Sequence, residues 1–236
     1  MTVYVVQHAN IEPPGLIGDV LRRRGLVPHL LWPARGQHFP RELDQVKAVV
    51  VMGGNMGAYE QDQHPWLRDE LDFIRRVNEA DIPLMGICLG AQLLAHATGG
   101  RAYPGTRGRE VGWCPLHLTA QGQTDPLTRH LAHKPTGETM LFQWHGDTFD
   151  LPPQAELLVS GRVYANQGFR LGRAYGFQFH FETDMDILNR WLSQSADYMA
   201  PTGVTPEQVR HGVPLHLETM RHSGQALVNA FVDLFA

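Results

Sequence analysis

Lysine is almost missing from this sequence of 236 residues: Lys47 and Lys134 stand against 18 Arg, and the formal net charge is −4. The arginines are scattered, with Arg22-Arg23-Arg24 the densest run. That is too short to track a nucleic-acid backbone, so no nucleic-acid partner is expected. No apolar run approaches the roughly 18 residues that cross a bilayer, so no membrane partner is expected either. Cysteine is scarce, with only Cys88 and Cys114. Two thiols make no disulfide framework, and neither belongs to a metal-type pair. The 13 His show no His-Glu-x-x-His or similar spacing, so neither a metal nor a cofactor is expected. The opening residues, Met1-Thr2-Val3-Tyr4-Val5-Val6-Gln7-His8, lack a charged leader and a small-residue cleavage site. They read as the first strand of a cytoplasmic protein.

What remains is ordinary globular composition, 43% hydrophobic and 19% charged, which excludes disorder as the main state. Thr2–Ala9 is β-branched and apolar, a buried strand. Leu16, Ile17, Val20 and Leu21 give Pro14–Arg24 a helical stripe that stops at Gly25. Pro28–Trp32 is a short strand. Lys47–Met52 is a continuous apolar run, as suits a strand buried on both faces. Pro65 opens a helix with Leu67, Leu71, Ile74 and Val77 on one face. Strand Ile82–Ile87 and helix Leu89–Thr98 follow, the helix stopping at Gly99-Gly100. This alternation predicts an α/β fold: a doubly wound, mostly parallel sheet with helices on both faces. Beyond Gly100 strands are expected near Val111–Leu118, Thr139–Trp144, Ala155–Val159 and Tyr175–Phe181. A helix is expected over Asp184–Tyr198, and two helices over Thr205–Ala236, broken near Ser223-Gly224.

Three short segments could carry chemistry. In Pro83-Leu84-Met85-Gly86-Ile87-Cys88-Leu89-Gly90-Ala91-Gln92 a buried strand runs into Cys88 and a helix starts at once. Glycines two positions before and after let neighbouring backbones pass close, as in a turn that presents a nucleophile. Unpaired N–H groups at the helix start favour the thiolate by roughly 0.3–2 kcal/mol, so a basic partner is still needed. Gly176-Phe177-Gln178-Phe179-His180-Phe181-Glu182 alternates and then turns, placing His180 and Glu182 at a strand's carboxyl end. There a glutamate can fix the tautomer of a histidine and stabilise its cation. Gly53-Gly54-Asn55-Met56-Gly57 follows a buried strand and offers backbone N–H groups to an anion. No Lys-Ser/Thr completes a phosphate loop, so a developing oxyanion is the expected guest, with the Leu89 N–H as second donor. Cys114 beside Trp113 is expected in the core. Glu110 is expected to be a structural acid near the sheet edge, and Trp144 to pack rather than bind.

The Cys88 segment, the Gly53-Gly54 loop upstream and His180-x-Glu182 downstream resemble the class I (triad-type) glutamine amidotransferase family. The resemblance covers about residues 1–195 and is nearest to small stand-alone members related to the GMP synthase glutaminase domain. It implies a flavodoxin-like amidotransferase domain over 1–195, with 196–236 a C-terminal helical extension packed on the same domain. It implies Cys88 as nucleophile, His180 as general base and acid, Glu182 as orienter, and the Gly54 and Leu89 amides as oxyanion hole. It suggests Gln92 as a substrate contact and Trp144-His145-Gly146-Asp147 as the substrate-edge loop. Two positions depart from the family pattern: Phe181 stands where proline is common, and Asn55 stands where a proline usually follows the glycines. The implied substrate is glutamine or a γ-glutamyl small molecule. Two reactions fit it: amide hydrolysis feeding ammonia to a synthase subunit in trans, or stand-alone γ-glutamyl hydrolysis. A non-enzymatic module on the same fold is disfavoured, because it has no need of an aligned triad.

Overall fold

In the computed structural model residues 1–132, 136–194 and 196–236 are described. The alternation of the first hundred residues becomes β1 (Thr2–Val6), α1 (Gly15–Arg23), β2 (His29–Leu31), β3 (Val46–Val51), α2 (Trp66–Glu79), β4 (Leu84–Ile87) and α3 (Leu89–Ala97). The second half adds β5 (Arg101–Pro104), β6 (Glu110–Leu118), α4 (Ala120–Thr124), β7 (Glu138–His145), β8 (Asp147–Asp150), β9 (Glu156–Ser160), β10 (Gly168–Leu171) and β11 (Ala174–Phe177). The chain ends in α5 (Met185–Gln194), α6 (Ala196–Met199) and α7 (Pro206–Asp233). Nine strands form one sheet in the order β2-β1-β3-β4-β11-β10-β9-β6-β7, and β5 pairs with β8 in a small second sheet. From β2 to β11 the ladders are parallel, and from β11 outward they are antiparallel. Strands β10 and β6 run against the direction of the others, so the sheet is mostly parallel.

The strand residues divide by the two-residue period between two cores. Val3 and Val5 of β1 and Ala48 and Val50 of β3 face α1, α5 and α7. Val6, Val49 and Val51 face the other way, against α2 and α3. Layers on both sides explain why β3 is apolar without a break from Ala48 to Val51. Helix α7 packs on α1 and on β6 and β7, so the C-terminal segment closes the first core.

Several boundaries differ from the sequence expectation. The strand expected over Tyr175–Phe181 leaves the ladder after Phe177, and His180 keeps only a single bridge to Phe142. The helix expected over Asp184–Tyr198 includes Ser195, which lies outside the described residues. On either side of it the chain is helical, as α5 and α6.

The break expected at Ser223-Gly224 is absent, and α7 runs through it as one 28-residue helix. Gly224 is there for close approach: a Cβ would lie 3.0 Å from the Phe181 ring and 3.1 Å from both the Phe181 carbonyl and Leu16. The helix starts at a capping box in which Thr205 and Gln208 satisfy each other's backbone N–H. Cys114 is only half-buried, on β6 next to the outermost strand, rather than in the core.

Candidate active site

Strands β1, β3, β4 and β11 are parallel neighbours, so their carboxyl ends meet along one edge of the sheet. That edge is where open α/β sheets hold their ligands. At the end of β4, Cys88 has φ 51° and ψ −107°, a left-handed conformation that a side chain rarely adopts. The flanking glycines make this turn possible. A Cβ on Gly86 would collide with the Gly90 backbone, and one on Gly90 would collide with the Val51 carbonyl. The turn delivers Cys88 to the N-terminus of α3, where the Leu89 amide is the first helical N–H.

His180 and Glu182 follow β11, both buried, with His180 Nδ1 2.7 Å from Glu182 Oε1. The carboxylate accepts, so Nδ1 carries the proton and Nε2 is left to the pocket side. Nε2 is buried and, among the described residues, meets no hydrogen-bond partner within bonding geometry. Cys88 and His180 are close enough to shift each other's proton affinity. Burial pushes the Cys88 thiol up, and His180 works against that rise. Burial would lower His180, yet Glu182 and then Cys88 outweigh it and hold the imidazole well above its ordinary range. Gln178 Nε2 lies 3.5 Å from the Cys88 sulfur and its Oε1 accepts from Gln92 Nε2 at 3.1 Å.

A pocket of about 320 Å³ opens over Cys88, at the small end of ligand sites. Gly54, Gln92, Trp144, His145 and Gly146 all line it. Trp144 also packs, against Phe142, Trp191 and Tyr198. His145 Nδ1–H donates to the Asp147 carbonyl at 2.8 Å, while Nε2 lies 3.2 Å from Glu110 Oε2 but makes no hydrogen bond among the described residues. Glu110 is buried and accepts from Gln167. Trp144-His145 ends β7 and Asp147 starts β8, so the expected loop is a sharp turn at Gly146 between two sheets. Asn55 lines the pocket, and Phe181 is core, edge-on to Phe177.

The sequence reading missed the rest of the wall: Tyr59, Glu60, Arg109 and Tyr198. Arg109 donates to the Tyr198 carbonyl at 2.7 Å and stacks on its ring at 4.2 Å. Tyr59 donates to Asp147 at 2.9 Å. Glu12 was missed as well. Its Oε2 is buried beside Gly53 with no hydrogen-bond partner among the described residues, and burial pushes its carboxyl up. A larger groove, of about 650 Å³, lies along α1 and α7 and contains none of these groups.

An open α/β sheet that gathers a thiol, an imidazole and a carboxylate at its carboxyl edge defines a class of protein. The pattern of the glutamine amidotransferase class-I family matches residues 16–193, and the chain belongs to that family. It is 28% identical to the glutamine amidotransferase-like protein YfeJ of Salmonella typhimurium, over 85% of this chain and 83% of YfeJ. It is 32% identical to the glutamine-hydrolyzing GMP synthase of Porphyromonas gingivalis, over 61% of this chain but only 26% of that protein. Gamma-glutamyl peptidase 4 of Arabidopsis thaliana is 25% identical over 64% of this chain and 60% of its own. A glutamine amidotransferase structure from Thermotoga maritima superposes with a TM-score of 0.87 at 31% identity, covering 99% of this chain and 98% of that one. Among the described residues no helix is long and apolar enough to cross a membrane.

Proposed function

We propose that the protein hydrolyses the side-chain amide of glutamine through a γ-glutamyl thioester on Cys88. The observation that carries this reading is the meeting of Cys88, in its strained turn, with the buried His180–Glu182 pair. The thiol proton passes to His180 Nε2 as the sulfur attacks the amide carbon. The proton stays within the pair, so the step creates no net charge in a buried site. Glu182 stabilises the imidazolium. The carbonyl oxygen becomes an anion against the Gly54 and Leu89 amides; losing one such donor costs about 10²–10³ in rate. His180 gives its proton to the leaving nitrogen, ammonia departs, and the thioester remains. Water then adds to the thioester while His180 takes its proton, and collapse releases glutamate and the thiol.

The pocket wall suits an amino acid. Arg109 offers a positive charge to an α-carboxylate, while Glu60 and Asp147 offer negative charge to an α-ammonium. Gln92, Trp144, His145 and Gly146 complete the wall. On this reading residues 1–195 form the amidotransferase-like unit, and the 196–236 extension adds Tyr198 to its site. The protein works in the cytoplasm, where thiols stay reduced, and hands ammonia to a synthase subunit in trans.

The test replaces Cys88 with Ala and measures ammonia and glutamate. Loss of at least 10³-fold in turnover is expected, in keeping with removal of a nucleophile. Undiminished release would remove Cys88 from the chemistry. A second reading, hydrolysis of γ-glutamyl amides, is favoured by the likeness to a γ-glutamyl peptidase. Parallel assays on glutamine and γ-glutamyl dipeptides separate the two: a higher kcat/KM on the dipeptides, with amine rather than ammonia released, selects the second.

A further inference from the structure

A second His–Glu pair lies at the end of β1, three strands along the sheet from β11. His8 Nε2 is 2.9 Å from Glu70 Oε1 and 3.1 Å from Oε2, and both side chains are fully buried. On the other side of the ring, Nδ1 is 2.9 Å from the Gly53 carbonyl oxygen. Trp66 stacks on the ring at 5.7 Å and 18°, which fixes its plane. A carbonyl only accepts, so Nδ1 must carry a proton. Whichever of His8 and Glu70 holds the proton between them, the Nδ1–H stays aimed at Gly53.

The consequence lies in the peptide joining Gly53 to Gly54. The carbonyl and N–H of a trans peptide point in opposite directions. Holding the Gly53 carbonyl against His8 therefore turns the Gly54 N–H away from His8. Gly54 lines the pocket beside Cys88, and among the described residues this N–H has no acceptor. Leu89, Met56 and His8 crowd the Gly54 Cα, so a side chain there would collide. Two adjacent glycines could otherwise rotate this peptide freely.

We propose that His8, held by Glu70, is a positioning residue: it locks the Gly53–Gly54 peptide so that the Gly54 N–H faces the reacting carbonyl before substrate binds. The proposal rests on the glutamine or γ-glutamyl hydrolysis reading, and it adds a residue pair that touches neither substrate nor thiol. Such preorganisation lowers the barrier because no dipole has to reorient as charge develops.

Two substitutions divide the functions of the ring. In His8→Asn the amide nitrogen takes the place of Nδ1, keeping the bond to Gly53 and losing Glu70. In His8→Gln the amide reaches the place of Nε2, keeping Glu70 and losing Gly53. The expected result is that H8Q loses about 10²–10³ in kcat with KM changed by less than about threefold, whereas H8N stays within about tenfold of the parent. Thermal stability should follow the opposite order, since H8N leaves a buried carboxylate unpaired. A purely structural pair would make activity follow stability, and that ordering would overturn the proposal. If H8N does not fold, H8N/E70Q removes the unpaired charge and is read in the same way. Crystal structures of H8N and H8Q supply a readout independent of turnover: the Gly53 carbonyl should be turned only in H8Q, and an unmoved peptide in both overturns the proposal. A parent protein inactive on both substrate classes fails the hydrolysis reading instead, and the peptide orientation then decides alone.

Discussion

Cys88 and Cys114 are two thiols in one protein with opposite settings. Burial pushes Cys114 up to about 12, with no imidazole to oppose it. Burial also raises Cys88, but His180 opposes the rise and can take the proton. Iodoacetamide at neutral pH is expected to modify Cys88 first, and His180→Ala should slow that reaction by at least tenfold; peptide mapping by mass spectrometry checks both. Equal labelling of the two thiols would contradict the assignment. At this scale much was legible in the sequence, because the informative residues are neighbours in the chain. Gly86, Cys88 and Gly90 report a turn, and His180 and Glu182 are two residues apart. His8 and Glu70 were not legible: they are separated by 62 positions and meet only because β1 and α2 flank the same strand end. Arg109 and Tyr198 are likewise 89 positions apart.

Helix α7 shows a local signal overruled by packing. Ser223-Gly224 reads as a break, since glycine costs a helix about 1 kcal/mol relative to alanine. Yet Gly224 lies where α7 comes closest to Phe181 and Leu16. Gly224→Ala should therefore destabilise the fold by about 1–3 kcal/mol through overpacking, although alanine is the better helix former. Urea unfolding checks the sign, and a stabilised variant would contradict the close approach. At the other end of α7, Thr205→Ala removes the cap and should cost about 1 kcal/mol by the same measurement. The early strands and helices were readable because their apolar periods match their two cores. The small β5–β8 sheet and β10 were not: four-residue strands carry too little period, and β5 in addition pairs with a strand more than forty positions on, although β10 pairs with its chain neighbours β9 and β11.

Three groups of the site give the whole molecule a common pH dependence. His8 and His180 both titrate above their ordinary value of 6.5, because Glu70 and Glu182 outweigh burial. Their contribution to stability is fully present below about pH 6.5 and is lost as pH rises through the raised values. Cys88 adds to the trend, since the folded protein keeps a proton that the unfolded chain releases above about pH 9. The urea midpoint should therefore fall between pH 6.5 and 9, and fall less in H8Q. A midpoint that rises over this range would contradict the two ring assignments. The central claim concerns a covalent bond, and it is tested most directly by acid-quenching the protein during turnover of glutamine and mapping the adduct. The account predicts one γ-glutamyl group on Cys88, absent from Cys88→Ala. Full turnover with no thioester dependence on Cys88, or an adduct on Cys114, would contradict it.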